Sequence, residues 1–238
     1  MKLKGLTRLG IACLSMGVLS VGLLYGGESA AERLKTAGDV FTEIMSTPDK
    51  GIPQELLESS QCIVLVPGEK KAAFIFGGSY GRGFMLCRQA SGVGWSAPAG
   101  VKVEGGSVGF QIGASETDVI MLVLNKRGAE KLLSSKFTLG ADASVAAGPV
   151  GRTSSADTDV QLHAEILSYS RSRGAFAGIS LKGATLRPDH DANAELYGKK
   201  LTNQQIVLGK IKSPVSGSKL TAELQRYSAR KETAKETK

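Results

Sequence analysis

The sequence is poor in aromatic side chains, in histidine and in cysteine. Aromatic residues make up 5% of the 238 residues, and there are two His and three Cys. So few aromatic rings argue against a protein that binds nucleic acid by stacking bases. Neither histidine has a cysteine or a second histidine at ligand spacing, which argues against a zinc site. We therefore expect no metal and no other cofactor.

The patterns typical of parallel α/β enzymes are also missing. The sequence contains no spaced dinucleotide-binding or P-loop motif, and strands and helices do not alternate as they do in a parallel sheet. Glycine is abundant instead, with 30 of the 238 residues, against a usual share of about 7%. Short Val/Ile-rich runs are separated by Gly turns. We therefore predict an α+β fold that is mainly antiparallel β, a barrel- or sandwich-like sheet with an N-terminal helix and a few short helices.

The positive charge is concentrated at the two ends of the chain. The net charge is +8, of which residues 199–238 carry +7 and the first ten residues +3, so the middle is −2. A nucleic-acid-binding fold would carry its charge on the fold itself, and we expect no nucleic-acid partner. We assign residues 32–209 to one domain and 210–238 to a basic, flexible tail. Such a tail is either simply solvated or attracted to an anionic membrane.

The N-terminus has the three-part layout of a secretory signal. A basic start is followed by an uncharged run over residues 9–27, and Ser29 and Ala31 are small residues at positions −3 and −1 of a cleavage site. We predict that residues 1–31 are a signal peptide cleaved after Ala31. The run is also long enough to serve as an uncleaved anchor. Either way we expect an exported protein, periplasmic or secreted, and membrane-associated.

Two cysteines, Cys62 and Cys87, remain in the predicted mature chain. Export permits a disulfide between them. Both lie in apolar, strand-like runs, where a free cysteine behaves as a small buried hydrophobic residue. We favour two buried free thiols over a disulfide.

Apolar residues at helical spacing predict a helix from Ser29 to Met45, and Ser29 with Glu32 forms a possible capping box. The apolar face is modest, so we expect this helix to pack on the domain rather than lie on a membrane. A Val/Ile-rich strand follows over residues 61–66. We expect Pro67 and Gly68 to end it.

The sequence Gly-Gly-Ser-x-Gly occurs twice, at residues 77–81 and 105–109. Its G-x-S-x-G pattern is that of a nucleophile elbow, in which Ser79 would be the nucleophile of a serine hydrolase and His163 or His190 the base. That geometry needs a helix directly after the serine, whereas the following residues are typical of a strand. We favour two related glycine-rich β-hairpins, and we predict no catalytic residue.

Residues 189–195, Asp-His-Asp-Ala-Asn-Ala-Glu, place oxygen ligands at alternate positions as a calcium loop does. A calcium loop also needs Gly at its sixth position and Glu at its twelfth, where this chain has Ala194 and Lys200. We predict instead that Asp189 or Asp191 caps a helical turn that ends at Tyr197 and Gly198.

Taken in order, several short motifs resemble the SYLF-domain family, also called the lipid-binding SYLF or yeast actin-binding family. The resemblance covers residues 37–206, and its specificity lies in the order and spacing of the motifs. They are IPQELL (52–57), FGGSYGRG (76–83), WSAP (95–98), SVGFQIG (107–113), DVI (118–120), AGPVG (147–151), YSRSRG (169–174) and AGISLKG (177–183), followed by Asn193 and Tyr197-Gly198.

The resemblance implies a non-enzymatic lipid-binding module. Eukaryotic members bind phosphoinositides through an N-terminal amphipathic helix and a basic surface, and some bind actin. The signal-like N-terminus sets this chain apart and is typical of a bacterial exported member, for which an anionic phospholipid membrane is the expected partner. A protein-interaction scaffold of the cell envelope is the alternative. From their placement, the candidate lipid-binding residues are Arg33, Lys35, Lys70, Lys71, Arg82 and Lys102.

Overall fold

A computed structural model describes residues 27–47, 51–73, 76–108, 113–151, 163–172 and 175–229. Residues 1–26 of the predicted signal and the last nine residues of the predicted tail lie outside these ranges. In the part of the chain that the structure describes, no helix is both long and apolar enough to cross a membrane.

The core of the molecule is a single curled sheet, a half-barrel. In the described residues its strands are β1 (Cys62–Ala73), β2 (Phe76–Cys87), β3 (Ala99–Val108), β4 (Gly113–Val123), β5 (Phe137–Thr138), β6 (Val145–Ala147), β7 (Ile166–Ser172), β8 (Ala175–Gly178) and β9 (Thr185–Pro188). Their order is β5-β9-β3-β2-β1-β4-β7-β6, and β8 pairs with β7. The β6–β7 pair is parallel, while the long central strands pair antiparallel. The predicted fold class is confirmed.

Short helices cover the sheet. They are α1 (Ala30–Ser46), α2 (Gln54–Ser59), α3 (Lys126–Leu132), α4 (His190–Tyr197), α5 (Asn203–Leu208), a 3-10 turn (Val215–Gly217) and α6 (Ser218–Tyr227). The predicted capping box at the start of α1 is confirmed, because the Ser29 hydroxyl accepts from the backbone N–H of Glu32 and the Glu32 carboxylate accepts from that of Ser29.

Alternating residues of the central strands belong to two separate apolar cores. Ile63 and Leu65 of β1 pack in one core with α1 residues such as Phe41. Val64 and Val66, which point to the opposite face, belong to a second core. The sheet is therefore buried on both faces, and α1 is a packed helix, as the sequence indicated.

Strand β1 does not end at Pro67 and Gly68. The strand continues to Ala73 through a bulge, at which its register with β2 and with β4 shifts. Gly68 has a φ of 60° in this bulge, a conformation that glycine adopts without strain. The predicted end of the strand was wrong, because a bulge uses the same Pro and Gly residues that otherwise end strands.

The two Gly-Gly-Ser segments face each other across β2 and β3. Gly77 lies opposite Ser107, and Ser79 lies opposite Gly105. Strand β3 pairs with β2 and β9, while β4 pairs with β1 and β7. Of the two predicted hairpins, the first is confirmed, because β1 and β2 pair antiparallel and residues 77–81 lie in that pair. The second was wrong: residues 105–108 belong to the single strand β3, whose partners in the described residues are β2 and β9.

Cys62 and Cys87 form a disulfide between β1 and β2. The two residues are direct cross-strand partners and are 0% and 6% exposed. Two free thiols were expected, and this expectation was wrong. The predicted burial of both cysteines is confirmed. The register of β1 and β2 places the two sulfur atoms opposite each other, and this register cannot be predicted from either strand alone.

Residues 215–227, which were assigned to the tail, form the 3-10 turn and α6. Leu220 and Leu224 are fully buried in the core that contains α1. Gly38 of α1 allows a close approach here, since a Cβ on it would lie 3.3 Å from the backbone nitrogen of Leu220. The folded part of the chain thus extends well beyond residue 209.

Candidate functional site

The two candidate residues on α1 differ in exposure. Arg33 is 6% exposed, and its guanidinium donates to the carbonyl oxygen of Glu28 at 2.7 Å and lies 3.4 Å from the Glu28 carboxylate. Lys35 is exposed on the opposite side of the helix. Arg33 therefore holds the chain before α1 in place, and Lys35 is accessible to a partner.

Arg82 and Lys102 are cross-strand neighbours, and both contact the carboxylate of Asp189. Arg82 Nε lies 2.5 Å from one carboxylate oxygen, and Lys102 Nζ lies 3.4 Å from the other. Asp189 is fully buried, and it caps α4 by accepting from the N–H of Ala192 at 3.2 Å, as predicted. The acid that neutralises both cations was not predicted, because it lies far away in the sequence.

The charges in this cluster shift each other's pKa values. Burial alone would raise the pKa of Asp189, but the hydrogen bonds from Arg82 and from the N–H of Ala192, with the charges of Arg82 and Lys102, hold it below its usual range. The hydrogen bond to Asp189 in turn raises the pKa of Arg82. The cluster is thus fully ionised at neutral pH, and it clamps β2 and β3 to the start of α4.

Lys70 is exposed on β1. Its cross-strand neighbours are Tyr80 on β2 and Glu116 on β4. Tyr80 is 46% exposed and is one of the few large apolar side chains on the surface of the described residues. Lys71 follows in the same strand, but its side chain lies outside what the structure describes.

Arg33, Lys70 and Arg82 line one cleft of about 880 Å³, which we call the α1 cleft. Its lining also includes Arg171 and four acidic residues, Glu28, Glu43, Glu116 and Asp118. The Arg171 guanidinium pairs with the carboxylates of Glu43 and Asp118. The α1 cleft therefore brings three of the six candidates together, but acids on its walls balance their charge.

A different part of the surface is positively charged without such balance. Residues 196–222, which we call the lysine segment, contain five Lys and no Asp or Glu. Lys219 pairs with Asp39 at 2.6 Å. The other four, which are exposed, form no ion pair within the described residues: Lys199, Lys200, Lys210 and Lys212. The sequence showed these lysines, but three of the five were predicted to belong to a flexible tail.

The start of the lysine segment is fixed to the sheet by buried amides. The Asn193 side chain accepts from the N–H of Gly100 at 2.7 Å and donates to Asn203 at 2.8 Å. The Asn203 side chain donates to the carbonyl oxygen of Gly100 at 2.9 Å. These bonds tie α4 and α5 to β3, and Lys199 and Lys200 lie between these two anchored helices.

Apolar side chains are exposed in the same segment. Leu208 is 66% exposed and Val215 is 91% exposed. They are two of the three large apolar side chains that are exposed in the described residues, the third being Tyr80. Exposed apolar residues beside unpaired cations are typical of a surface that binds a membrane or another macromolecule.

A second cleft of about 660 Å³ lies between the turn after β2 and the lysine segment. We call it the basic groove; its lining comprises residues 88–91, 95–97 and 207–213. Three of these lining residues are cationic, namely Arg88, Lys210 and Lys212, and none is acidic. The basic groove thus differs from the α1 cleft in having a net positive lining.

The serine-hydrolase hypothesis finds no support at Ser79. The residue lies within β2, which continues to Cys87, so the strand–turn–helix of a nucleophile elbow is not formed there. His163 lies in a turn before β7, and His190 begins α4. The described residues contain no cluster of His, Cys, Asp and Glu suited to a metal ion.

Comparison with known proteins identifies relatives of this chain. A family model named Ysc84, described as "Las17-binding protein actin regulator", matches residues 104–227. The chain is 33% identical over 201 residues to SH3 domain-containing protein PJ696.02 of Schizosaccharomyces pombe, which is 81% of this chain and 46% of that protein. It is 34% identical over 170 residues to LAS seventeen-binding protein 3 of Saccharomyces cerevisiae, and this match covers 70% of this chain and 36% of that protein.

An animal protein is similar to the same extent. SH3 domain-containing YSC84-like protein 1 of Mus musculus is 31% identical over 196 residues, which is 81% of this chain and 57% of that protein. The chain therefore spans between about a third and somewhat more than half of the length of these relatives. One of these three names describes a binding protein, and none of them describes an enzyme.

Proposed function

This chain belongs to the Ysc84/SYLF family, and on that basis we propose that it is an exported, non-enzymatic module that binds anionic phospholipid membranes. Two parts of the proposal have separate support. Membrane binding is supported by the surface charge of the folded domain. Export is supported by the N-terminal sequence and by the disulfide.

The lysine segment is the observation that carries membrane binding. Four exposed lysines, which form no ion pair with the residues that the structure describes, stand in a stretch of 27 residues that has no acidic residue. A Lys near an anionic bilayer contributes about 1 kcal/mol at low ionic strength. Four of them contribute about 4 kcal/mol, which is about a thousandfold in binding constant. Exposed Leu208 and Val215 add apolar contact beside this charge.

The six residues predicted from the sequence to bind lipid differ in how accessible they are to a headgroup. Lys35 and Lys70 are exposed, and with Lys71 they remain candidates for additional headgroup contacts. Arg82 and Lys102 share the buried carboxylate of Asp189 as a partner, and Arg33 pairs with the half-exposed carboxylate of Glu28. A headgroup would have to compete with those partners, so we propose that these three residues act mainly in holding the fold together.

Export is the second part of the proposal. The basic start, the uncharged run and the small residues before position 32 have the order of a secretory signal. A disulfide joins Cys62 to Cys87, and disulfides form and persist in oxidising compartments. Both features are consistent with a mature protein outside the cytoplasm.

A protein partner is the second candidate function, because relatives are named for binding Las17. The two functions differ in how they respond to lipid and salt. A membrane-binding protein sediments with anionic vesicles, and a scaffold for a protein does not.

The test is co-sedimentation of the full chain with neutral and with anionic phospholipid vesicles at low salt and at about 1 M salt, where screening acts over about 3 Å. The apolar run at the N-terminus is present in every arm, so the difference between the two vesicle types reports on charge. We expect binding to anionic vesicles in excess of neutral ones, and loss of that excess at high salt. Equal binding to both vesicle types would overturn the proposal.

A further inference from the structure

The basic groove combines two kinds of lining that a single lipid molecule would match. Lys210 and Lys212 are exposed and unpaired within the described residues, and the same lining segment contains Leu208 and Ile211. Trp95 and Ala97 belong to the lining segment that follows β2. Cations beside apolar side chains are complementary to an amphiphile with a negative headgroup. A simple inorganic anion would leave the apolar lining unused.

The part of the lining that contains Trp95 is held in a fixed shape by several contacts. The Trp95 indole donates to the Ser228 hydroxyl at 3.1 Å, and the Arg88 guanidinium stacks over its ring at 4.1 Å. Arg88 also donates to the carbonyl oxygen of Ser228 at 2.8 Å. The Gln89 side chain donates to the carbonyl oxygen of Trp95 at 3.2 Å. A wall that is already ordered loses little entropy when a ligand binds.

The size of the basic groove suits part of a lipid. Its volume of about 660 Å³ lies within the range of small-ligand pockets, about 300–1,000 Å³. Leu208 is 66% exposed at this groove, where an apolar side chain in contact with a bilayer would lower the cost of its exposure. The groove would therefore open toward the membrane surface.

We infer that the basic groove binds one anionic phospholipid, with its headgroup at Lys210 and Lys212 and part of an acyl chain along Leu208 and Ile211, close to the largely buried Trp95. The inference rests on the proposed membrane function and deepens it. Attachment by charge alone would spread over the whole lysine segment. Binding in the groove selects a single lipid from the membrane.

Trp95 provides a direct reporter, because it is the only tryptophan in the chain. The full chain is bound to two vesicle preparations with equal amounts of neutral and anionic lipid. In one preparation the acyl chains of the anionic lipid are brominated, and in the other those of the neutral lipid are. Bromine quenches tryptophan only at short range. We expect Trp95 emission to fall with brominated anionic lipid and to stay nearly unchanged with brominated neutral lipid.

Two matched variants locate the effect. Lys210→Glu with Lys212→Glu changes two lysines of the groove, and Lys199→Glu with Lys200→Glu changes two that do not line it. All four are exposed, so both variants should fold. Per molecule of bound protein, we expect the groove variant to lose the quenching and the control variant to keep it.

The possible failures separate the two proposals. Binding to anionic vesicles with equal quenching by both lipids, or with none, would overturn the groove while leaving membrane binding intact. No preference for anionic vesicles would overturn membrane binding and the groove together. A change in Trp95 emission with an acidic peptide, and none with either lipid, would overturn both in favour of a protein ligand.

Discussion

Arg82 and Asp189 are 107 residues apart in the chain, and their side chains meet at 2.5 Å. The carboxylate is fully buried and the guanidinium partly so. Asp189 serves three partners at once, since it also accepts from the N–H of Ala192 and lies 3.4 Å from Lys102 Nζ. This one carboxylate joins β2 and β3 to the start of α4, the helix whose last residues begin the lysine segment.

Replacing Asp189 with Asn should therefore destabilise the protein. We expect Asp189→Asn to lower the free energy of unfolding at pH 7 by about 3 kcal/mol, because it leaves Arg82 without its buried counter-charge. Asp191→Asn is the matched control: Asp191 also lies 3.4 Å from Lys102 but its side chain is 85% exposed, so we expect a loss below about 1 kcal/mol. Urea unfolding measures the free energy of unfolding of both variants. Equal losses would contradict the role of Asp189 as the buried counter-charge of Arg82.

The same variant gives a defined pH dependence. The folded pKa of Asp189 is depressed below that of the unfolded chain, so its ionised form stabilises the native state above about pH 4 and this stabilisation is lost as the pH falls through the folded pKa. The difference in unfolding free energy between wild type and Asp189→Asn should accordingly shrink below about pH 4. A difference that stayed constant down to pH 2 would argue against this ion pair.

Glycine at position 83 is required by the close approach of two backbones. A Cβ on Gly83 would overlap the carbonyl oxygen of Leu65 in β1, and backbone atoms have no alternative rotamer. We expect Gly83→Ala to cost about 2 to 3 kcal/mol. Gly106→Ala, in the neighbouring strand, should change stability by less than about 0.5 kcal/mol, since nothing lies within 4 Å of its Cβ position. Similar urea midpoints for the two variants would be inconsistent with the described register.

The disulfide makes a prediction about the oxidised protein. A bridge between residues 25 apart in the sequence stabilises by about 3 kcal/mol, so Cys62→Ala with Cys87→Ala should lower the unfolding free energy by that amount. Both proteins are compared in a Cys13→Ser background, which removes the third cysteine. Alkylation of the unfolded, unreduced protein should label neither Cys62 nor Cys87. Labelling of both would show that the thiols are free.

The cap of α1 bears on where a signal peptide would be removed. Cleavage after Ala31, as predicted, would remove Ser29 and the hydrogen bond from the N–H of Ala30 to Glu195 at 2.7 Å. We expect Ser29→Ala in the full chain to cost about 1 kcal/mol, or roughly 2–4 °C in melting temperature. Ser46→Ala, an exposed serine at the other end of α1, is the control and should leave the melting temperature nearly unchanged. A cap that contributes nothing would give the same midpoint for both.

Local patterns predicted the elements whose cause is local. The cap at Ser29 and the cap at Asp189 both depend on residues within a few positions of one another, and each is confirmed. The antiparallel class followed from short strands between glycine turns.

The remaining features depend on register, which brings together residues that are distant in the sequence. The Cys62–Cys87 bridge, the pairing of Arg82 with Asp189 and the facing Gly-Gly-Ser segments are all of this kind. The lysine segment was misjudged for a related reason. Its polar composition resembles that of a flexible tail, but Asn193, Asn203 and Leu220 fix it to the domain through contacts that no local pattern reveals.

The central claim is that the lysine segment attaches the domain to anionic membranes, and charge reversal tests it most directly. One variant changes Lys200, Lys210 and Lys212 to Glu. The matched variant changes three other exposed lysines to Glu, namely Lys126, Lys136 and Lys182. Both variants therefore change the net charge by the same amount. Binding of both full-length variants and wild type to anionic vesicles is titrated at low salt. We predict that the first variant loses more than about a hundredfold in affinity, since each Lys contributes about 1 kcal/mol, and that the second stays close to wild type. Equal losses in both variants would contradict the claim, because only net charge and not the lysine segment would then govern binding.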